Sequence, residues 1–125
     1  MNNLKLGKLG ENIAINYLIK IGYKIIGHNY WHKLGEIDII ARDNSGVLVF
    51  CEVKTMNIIN RPREEYLIPE DNLSIGKLKK MRRVAQIFAQ DYSEWIWSNK
   101  GWRLDLVTVT IMREQVVEIH HYRNL

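Results

Sequence analysis

Apolar residues recur at helical spacing through the first part of the chain, where Leu6, Leu9, Ile13, Tyr17 and Ile21 fall on one face and Gly22 follows. This predicts a helix over residues 4–21, ended by the glycine. Glu11 has Ala14 and Leu18 at i+3 and i+7, so its carboxylate lies along or at the margin of the apolar face, where carboxylates are seldom placed without a partner. Tyr23 to Ile26 read as a short strand, and Asn29 to Lys33 lead onward, with His28 and His32 expected on a loop. The pattern then changes to alternation. Residues 34–54 read as a β-hairpin around Asp43-Asn44-Ser45-Gly46. With Asn44-Ser45-Gly46 as the loop and Gly46 left-handed, Asp43 faces Val47, Asp38 faces Glu52, and Glu36 faces Lys54. These charged side chains then share one side, and Ile37, Ile39, Cys51 and Val53 share the other. A two-residue loop shifts the pairing by one.

Residues 55–73 lack periodicity and hold both prolines, Pro62 and Pro69, together with Arg61 and Arg63. Ser74 is an N-cap candidate for a second helix over 75–92, with Leu78, Met81, Ala85, Phe88 and Tyr92 as its apolar stripe. Lys79, Lys80, Arg82 and Arg83 form a basic face. Lys77 falls with Met81, Val84 and Phe88, so it points inward near the helix start, against the helix dipole. It either snorkels to solvent or meets a phosphate or carboxylate. Trp95, Trp97 and Trp102 lie in or beside a turn-rich connection, as core packing or as base-stacking surfaces. A final hairpin alternates over 103–112 and returns over 116–122. The expected architecture is α/β, one mixed sheet flanked by helices in the order α-β-β-β-α-β-β, forming a single domain of residues 1–125.

Composition narrows this only slightly. The chain has 125 residues, 46% hydrophobic and 26% charged, an ordinary globular balance. No apolar run approaches the ~20 residues needed to span a bilayer, and the N-terminus lacks a signal-peptide core. One cysteine excludes an internal disulfide framework and suits a cytoplasmic protein. Cys51 itself reads as packing. A net charge of +4 favours a polyanionic partner weakly.

The charged hairpin carries the chemistry. Carboxylates directly across a ladder repel unless a cation lies between them. Asp38 facing Glu52 therefore points to a hard divalent metal, Mg²⁺ or Mn²⁺, with the Val53 carbonyl as a further ligand. Phosphodiester hydrolysis needs such a metal and a cation near the phosphate, the place of Lys54. Glu11 joins if the first helix packs over this face. The bland alternative is a solvated charged strand face, although Leu48, Phe50 and Ile40 on the same side indicate that it is covered. Zinc-type spacing and a glycine-rich phosphate loop are both missing from the sequence.

Asp38 followed by Glu52-Val53-Lys54 resembles the P-D-(D/E)-x-K nuclease signature, with Ile37 replacing the proline. The chain also resembles the YraN-like or UPF0102 family, predicted endonucleases similar to archaeal Holliday-junction resolvases. The matching positions are Gly10-Glu11, Ala14, Gly22-Tyr23, Asn29, Gly35-Glu36-Ile37-Asp38-Ile39-Ile40-Ala41, Phe50, Glu52-Val53-Lys54-Thr55, Lys77 and Arg103-Leu104-Asp105. Met56 departs from the pattern, where the family often places arginine. The resemblance implies a restriction-endonuclease-like fold and Glu11, Asp38, Glu52 and Lys54 as catalytic residues. It also implies a DNA partner, branched or single-stranded forms included, and is compatible with a homodimer. Lys77, Lys79, Lys80, Arg82, Arg83, Arg61 and Arg63 are the expected nucleic-acid contacts. The alternative is a non-catalytic nucleic-acid-binding protein.

Overall fold

The computed structural model describes residues 2–58, 74–96 and 100–125. Helix α1 (Asn3–Lys20) starts at Asn2, whose side chain accepts the Lys5 N–H at 2.8 Å, and stops before Gly22 at φ 97°. Strands β1 (Lys24–His32), β2 (Gly35–Arg42) and β3 (Leu48–Asn57) follow. Helix α2 (Ile75–Asp91) begins at Ser74, whose hydroxyl accepts the Lys77 N–H at 3.1 Å. Strands β4 (Trp102–Met112) and β5 (Gln115–Tyr122) complete the order α-β-β-β-α-β-β. Among the described residues five strands lie in sequence order, with β3 and β4 parallel and the other neighbours antiparallel. That parallel pair requires a crossover, and α2 lies on it.

The two described helices cover opposite faces. Ala14 and Leu18 of α1 pack with Val49, Cys51, Val53, Val107 and Val109, and Met81, Val84 and Phe88 of α2 pack with Leu48, Phe50 and Leu104. A sheet covered on both sides explains why its central strands read as nearly continuous apolar runs. Cys51 is fully buried, as expected of a packing residue, and burial pushes its thiol pKa well up. Trp102 also packs, edge-on to Phe50 at 5.5 Å, whereas Trp95 is 40% exposed. Trp97, Arg61, Arg63, Pro62 and Pro69 lie outside the described residues. Among the described residues no helix is long and apolar enough to cross a membrane.

Several expectations need correction. β1 is one strand rather than a short strand and a lead-in; an irregularity between Ile25 and Gly27 and a left-handed Asn29 (φ 53°) interrupt its pattern. His28 and His32 are therefore in a strand, not a loop. β3 continues to Asn57, because Thr55, Met56 and Asn57 pair with Val109, Thr110 and Ile111. Ile37 and Ile39 do not share a face: Ile37 joins the α2-side core and Ile39 the α1-side core. The alternation breaks at Asp38, where pairing with β3 ends after Ile39–Cys51 and the left-handed Asn29 interrupts the pairs with β1 between His28–Ile39 and Tyr30–Ile37.

A carboxylate-lysine cleft as candidate functional site

The β2–β3 register is the one expected. Ile39 pairs with Cys51, Ile40 with Phe50, Ala41 with Val49 and Arg42 with Leu48. The turn fixes it: Gly46 is left-handed at φ 95°, the Asp43 N–H reaches the Val47 carbonyl at 2.9 Å, and the Asp43 carboxylate accepts from Ser45 and Val47. The next facing positions are Asp38 and Glu52. Here the side chain replaces the ladder, for Asp38 Oδ2 accepts the Val53 N–H at 2.7 Å. Glu36 does not sit opposite Lys54 in a ladder; it pairs with Trp31 of β1 and is exposed.

A cleft of about 510 Å³ opens at this point, and Glu11, Asp38, Glu52, Val53, Lys54 and Lys77 all line it. Glu11 reaches it because α1 approaches β3 very closely. At Gly10 a Cβ would stand 1.7 Å from Thr55 Oγ1, 2.7 Å from Thr55 Cβ and 2.8 Å from Thr55 Cγ2, so only glycine permits that approach. Lys77 from the first turn of α2 places Nζ 2.7 Å from Glu52 Oε1, and Lys54 Nζ stands 3.7 Å from the same oxygen. The inward-pointing Lys77 thus meets a carboxylate. Lys79, Lys80, Arg82 and Arg83 instead lie on the exposed face of α2, where Arg82 donates to the Leu125 carbonyl at 2.9 Å.

The electrostatics are unbalanced. Burial, and then the facing Glu52 charge, push the Asp38 carboxyl up to about 8. Burial also raises Glu11, against hydrogen bonding from Asp38 and Asn29. Burial and the neighbouring Lys77 lower Lys54. Lys77 is pulled down by burial, yet its hydrogen bond and attraction to Glu52 leave it raised. Among the described residues no three or more His, Cys, Asp or Glu side chains converge to cage a metal ion. Two mutually repelling carboxylates beside an open cleft do fit a hard cation that keeps several waters and takes one or two carboxylates, as Mg²⁺ does.

The family model described as "Uncharacterised protein family UPF0102" matches residues 10–109, a span holding Glu11, Asp38, Glu52, Lys54 and Lys77. The chain belongs to UPF0102. A UPF0102 protein of Desulforamulus reducens is 38% identical over 120 residues, covering 95% of this chain and 93% of that relative. One from Alkaliphilus oremlandii is 36% identical over 124 residues, with 98% and 97% covered. One from Caldicellulosiruptor saccharolyticus is 34% identical over 125 residues, with 99% and 98% covered.

Three features of this UPF0102 member have roles that periodicity and spacing leave unassigned. Asn29 reaches Glu11, and its positive φ had no local glycine signal to announce it. Gly10 gave one clue, a glycine inside a helix that its spacing did not require. Arg103 and Asp105 belong to a second charged cluster. Arg103 bonds Asp105 (2.9 Å), Asp43 and the Tyr23 hydroxyl (2.9 Å), and His121 links Asp105 (2.7 Å) to Tyr17 (3.0 Å).

Proposed function

We propose that this chain is a metal-dependent endonuclease that hydrolyses DNA phosphodiester bonds, with junction or branched DNA as its substrate class and a restriction-endonuclease-like fold. The observation that carries the reading is the convergence of Glu11, Asp38, Glu52, Lys54 and Lys77, from two helices and two strands, on one cleft. Asp38 and Glu52, with the Val53 carbonyl, would hold Mg²⁺ or Mn²⁺. When bound, that ion would neutralise phosphate charge and supply an activated water.

The protein's own groups do the rest. Lys54 stabilises the charge that develops on the attacked phosphate or orients the water. Glu11 accepts hydrogen bonds from water at the cleft wall. Lys77 releases Glu52 and takes a phosphate oxygen, since its side chain lines the cleft and is 44% exposed to an incoming ligand. Lys79, Lys80, Arg82 and Arg83 hold the DNA backbone from the adjoining face of α2.

One observation favours a non-catalytic nucleic-acid-binding protein instead: Glu52 already has a cation partner at 2.7 Å, so part of the cluster is satisfied within the chain. Incubating the protein with single-stranded, duplex, flap and four-way DNA in Mg²⁺ or Mn²⁺ separates the two. Metal-dependent internal cuts that disappear in Asp38→Asn support the nuclease. Binding of any form without cuts supports the alternative.

A further inference from the structure

Around edge strand β1 from the carboxylate cleft lies a second cavity, of about 430 Å³, with largely aromatic walls. Tyr30 meets Phe88 edge-on at 5.1 Å, and Phe88 tilts against Tyr92 at 4.8 Å. Three aromatic side chains around it remain open to solvent: Trp31 is 72% exposed, Tyr92 41% and Trp95 40%. Large apolar side chains gathered on one exposed patch mark a binding surface. The cavity also has a polar end, where Asn29 Nδ2 and His28 Nδ1 are 3.2 Å apart.

Asn29 joins the two cavities. It lines the aromatic one and lies close enough to Glu11 of the other to help counter the upward push of burial on that carboxyl. Its left-handed backbone is a conformation that asparagine tolerates and that persists where the surroundings impose it. On the same strand, Trp31 is in register with Glu36, which lines the cleft. A chain leaving the cleft past Glu36 therefore arrives at Trp31. An adjoining cavity of about 270 Å³ shares Ile26 and Trp95 and brings Lys24 to the rim, with Glu94 opposing it.

We propose that the aromatic cavity binds an unpaired nucleobase of the DNA strand whose backbone occupies the carboxylate cleft. The inference rests on the nuclease reading for its ligand. A base offers a π-face to Trp31, Tyr92 and Trp95, and hydrogen-bonding edges to Asn29 and His28; stacking on aromatics is favourable for every base. Lys24 supplies a cation for the flanking phosphate.

The probe is a single-stranded DNA with one 2-aminopurine, compared with the same strand carrying an abasic site there, with Ca²⁺ in place of Mg²⁺. Wild type should prefer the base-bearing strand by about tenfold, the order expected for one stacked base, and should quench its fluorescence. Trp31→Ala/Trp95→Ala should lose both effects, and Trp95→Phe, which keeps a ring, should retain most of the quenching. Both tryptophans are exposed, so the protein should remain folded. Equal affinity of wild type for base-bearing and abasic strands would overturn the proposal. So would a wild-type dimer that becomes monomeric in the double variant while quenching persists, which would make the patch an interface between copies. Quenching by a wild type that cuts none of the single-stranded, duplex, flap and four-way forms in Mg²⁺ keeps the cavity and removes the nuclease reading; cutting with no dependence on the base does the reverse.

Discussion

Two clusters of charged side chains share this sheet, and they are built differently. At the β2–β3 turn end, Asp105 is fully buried and accepts from Arg103, His121 and the Asn124 N–H at 3.0 Å. These partners hold its carboxyl below the usual range against the cost of burial, and Asp43 is likewise lowered by Arg103 and two backbone N–H groups. At the cleft, Asp38 has one backbone donor and a like charge opposite, and its carboxyl is pushed up. Buried carboxylates need compensation. The chain supplies it in full at Asp105 and leaves Asp38 lacking it. A saturated network is a structural clamp, tying α1, the residue that leads into β1, the β2–β3 turn, β4 and β5 together through Tyr17, Tyr23, Asp43 and His121. An unsaturated cluster in a cleft is where outside chemistry enters.

The largest stability effect should come from the clamp. Arg103→Met leaves Asp105 and Asp43 without their main cation and should cost ~3–5 kcal/mol, as breaking a buried pair typically does. Denaturant unfolding checks this, and a loss under ~1 kcal/mol would place the network on a par with surface pairs. Gly10→Ala comes next. Its added methyl meets Thr55, so α1 must shift, at ~1–3 kcal/mol for overpacking, reduced by alanine's better helix propensity. The double variant Gly10→Ala/Thr55→Gly should recover part of that loss in the same measurement.

Asp38 gives an effect of opposite sign. Its folded pKa of about 8 lies above the ordinary 3.8, so between those values the folded state binds more protons than the unfolded. This contribution is present at low pH and is lost as pH rises from about 4 to about 8. Asp38→Asn should remove that slope and leave the protein at least as stable at pH 8. The lowered Asp43 and Asp105 work in reverse: their stabilisation is present above the ordinary carboxylate pKa and is lost in acid. Mg²⁺ or Mn²⁺ should raise the wild-type melting temperature at pH 8 and leave Asp38→Asn unchanged. An identical metal response in both proteins would break the contrast between the clusters.

The least effect on stability, within ~0.5 kcal/mol, is expected from neutralising Lys79, Lys80, Arg82 and Arg83 together, since all are exposed. DNA binding should nevertheless weaken, with the salt slope falling by ~0.9 for each phosphate that the variant no longer neutralises. An unchanged slope would show that this helix face is only solvated.

Sequence patterning revealed the Asp38–Glu52 juxtaposition because a short turn with a left-handed glycine fixes hairpin register locally. Lys77 was legible in direction, since helical spacing put it inward, but its partner lies on another element. Where tertiary contact sets the geometry, pattern failed. Ile37 changes face across Asp38, where pairing is interrupted toward both β1 and β3, and nothing in local alternation marks that break. Arg103 finds Asp43 sixty positions away and Tyr23 eighty away, beyond any periodicity argument. The aromatic cavity was invisible for the same reason, as its walls come from β1, β2, α2 and the short 3₁₀ turn Ser93–Trp95.

The central claim is that the unsaturated cluster performs hydrolysis, and Lys54→Ala tests it most directly. Asp38 and Glu52 remain in that variant, so metal and DNA should bind with near wild-type affinity. Single-turnover cleavage at saturating enzyme should fall by ~10²–10³-fold, the loss typical when one preorganised charge-stabilising group is removed. Wild type and Lys54→Ala that bind the same DNA and cut at the same rate, or that bind it and cut nothing, would contradict the account.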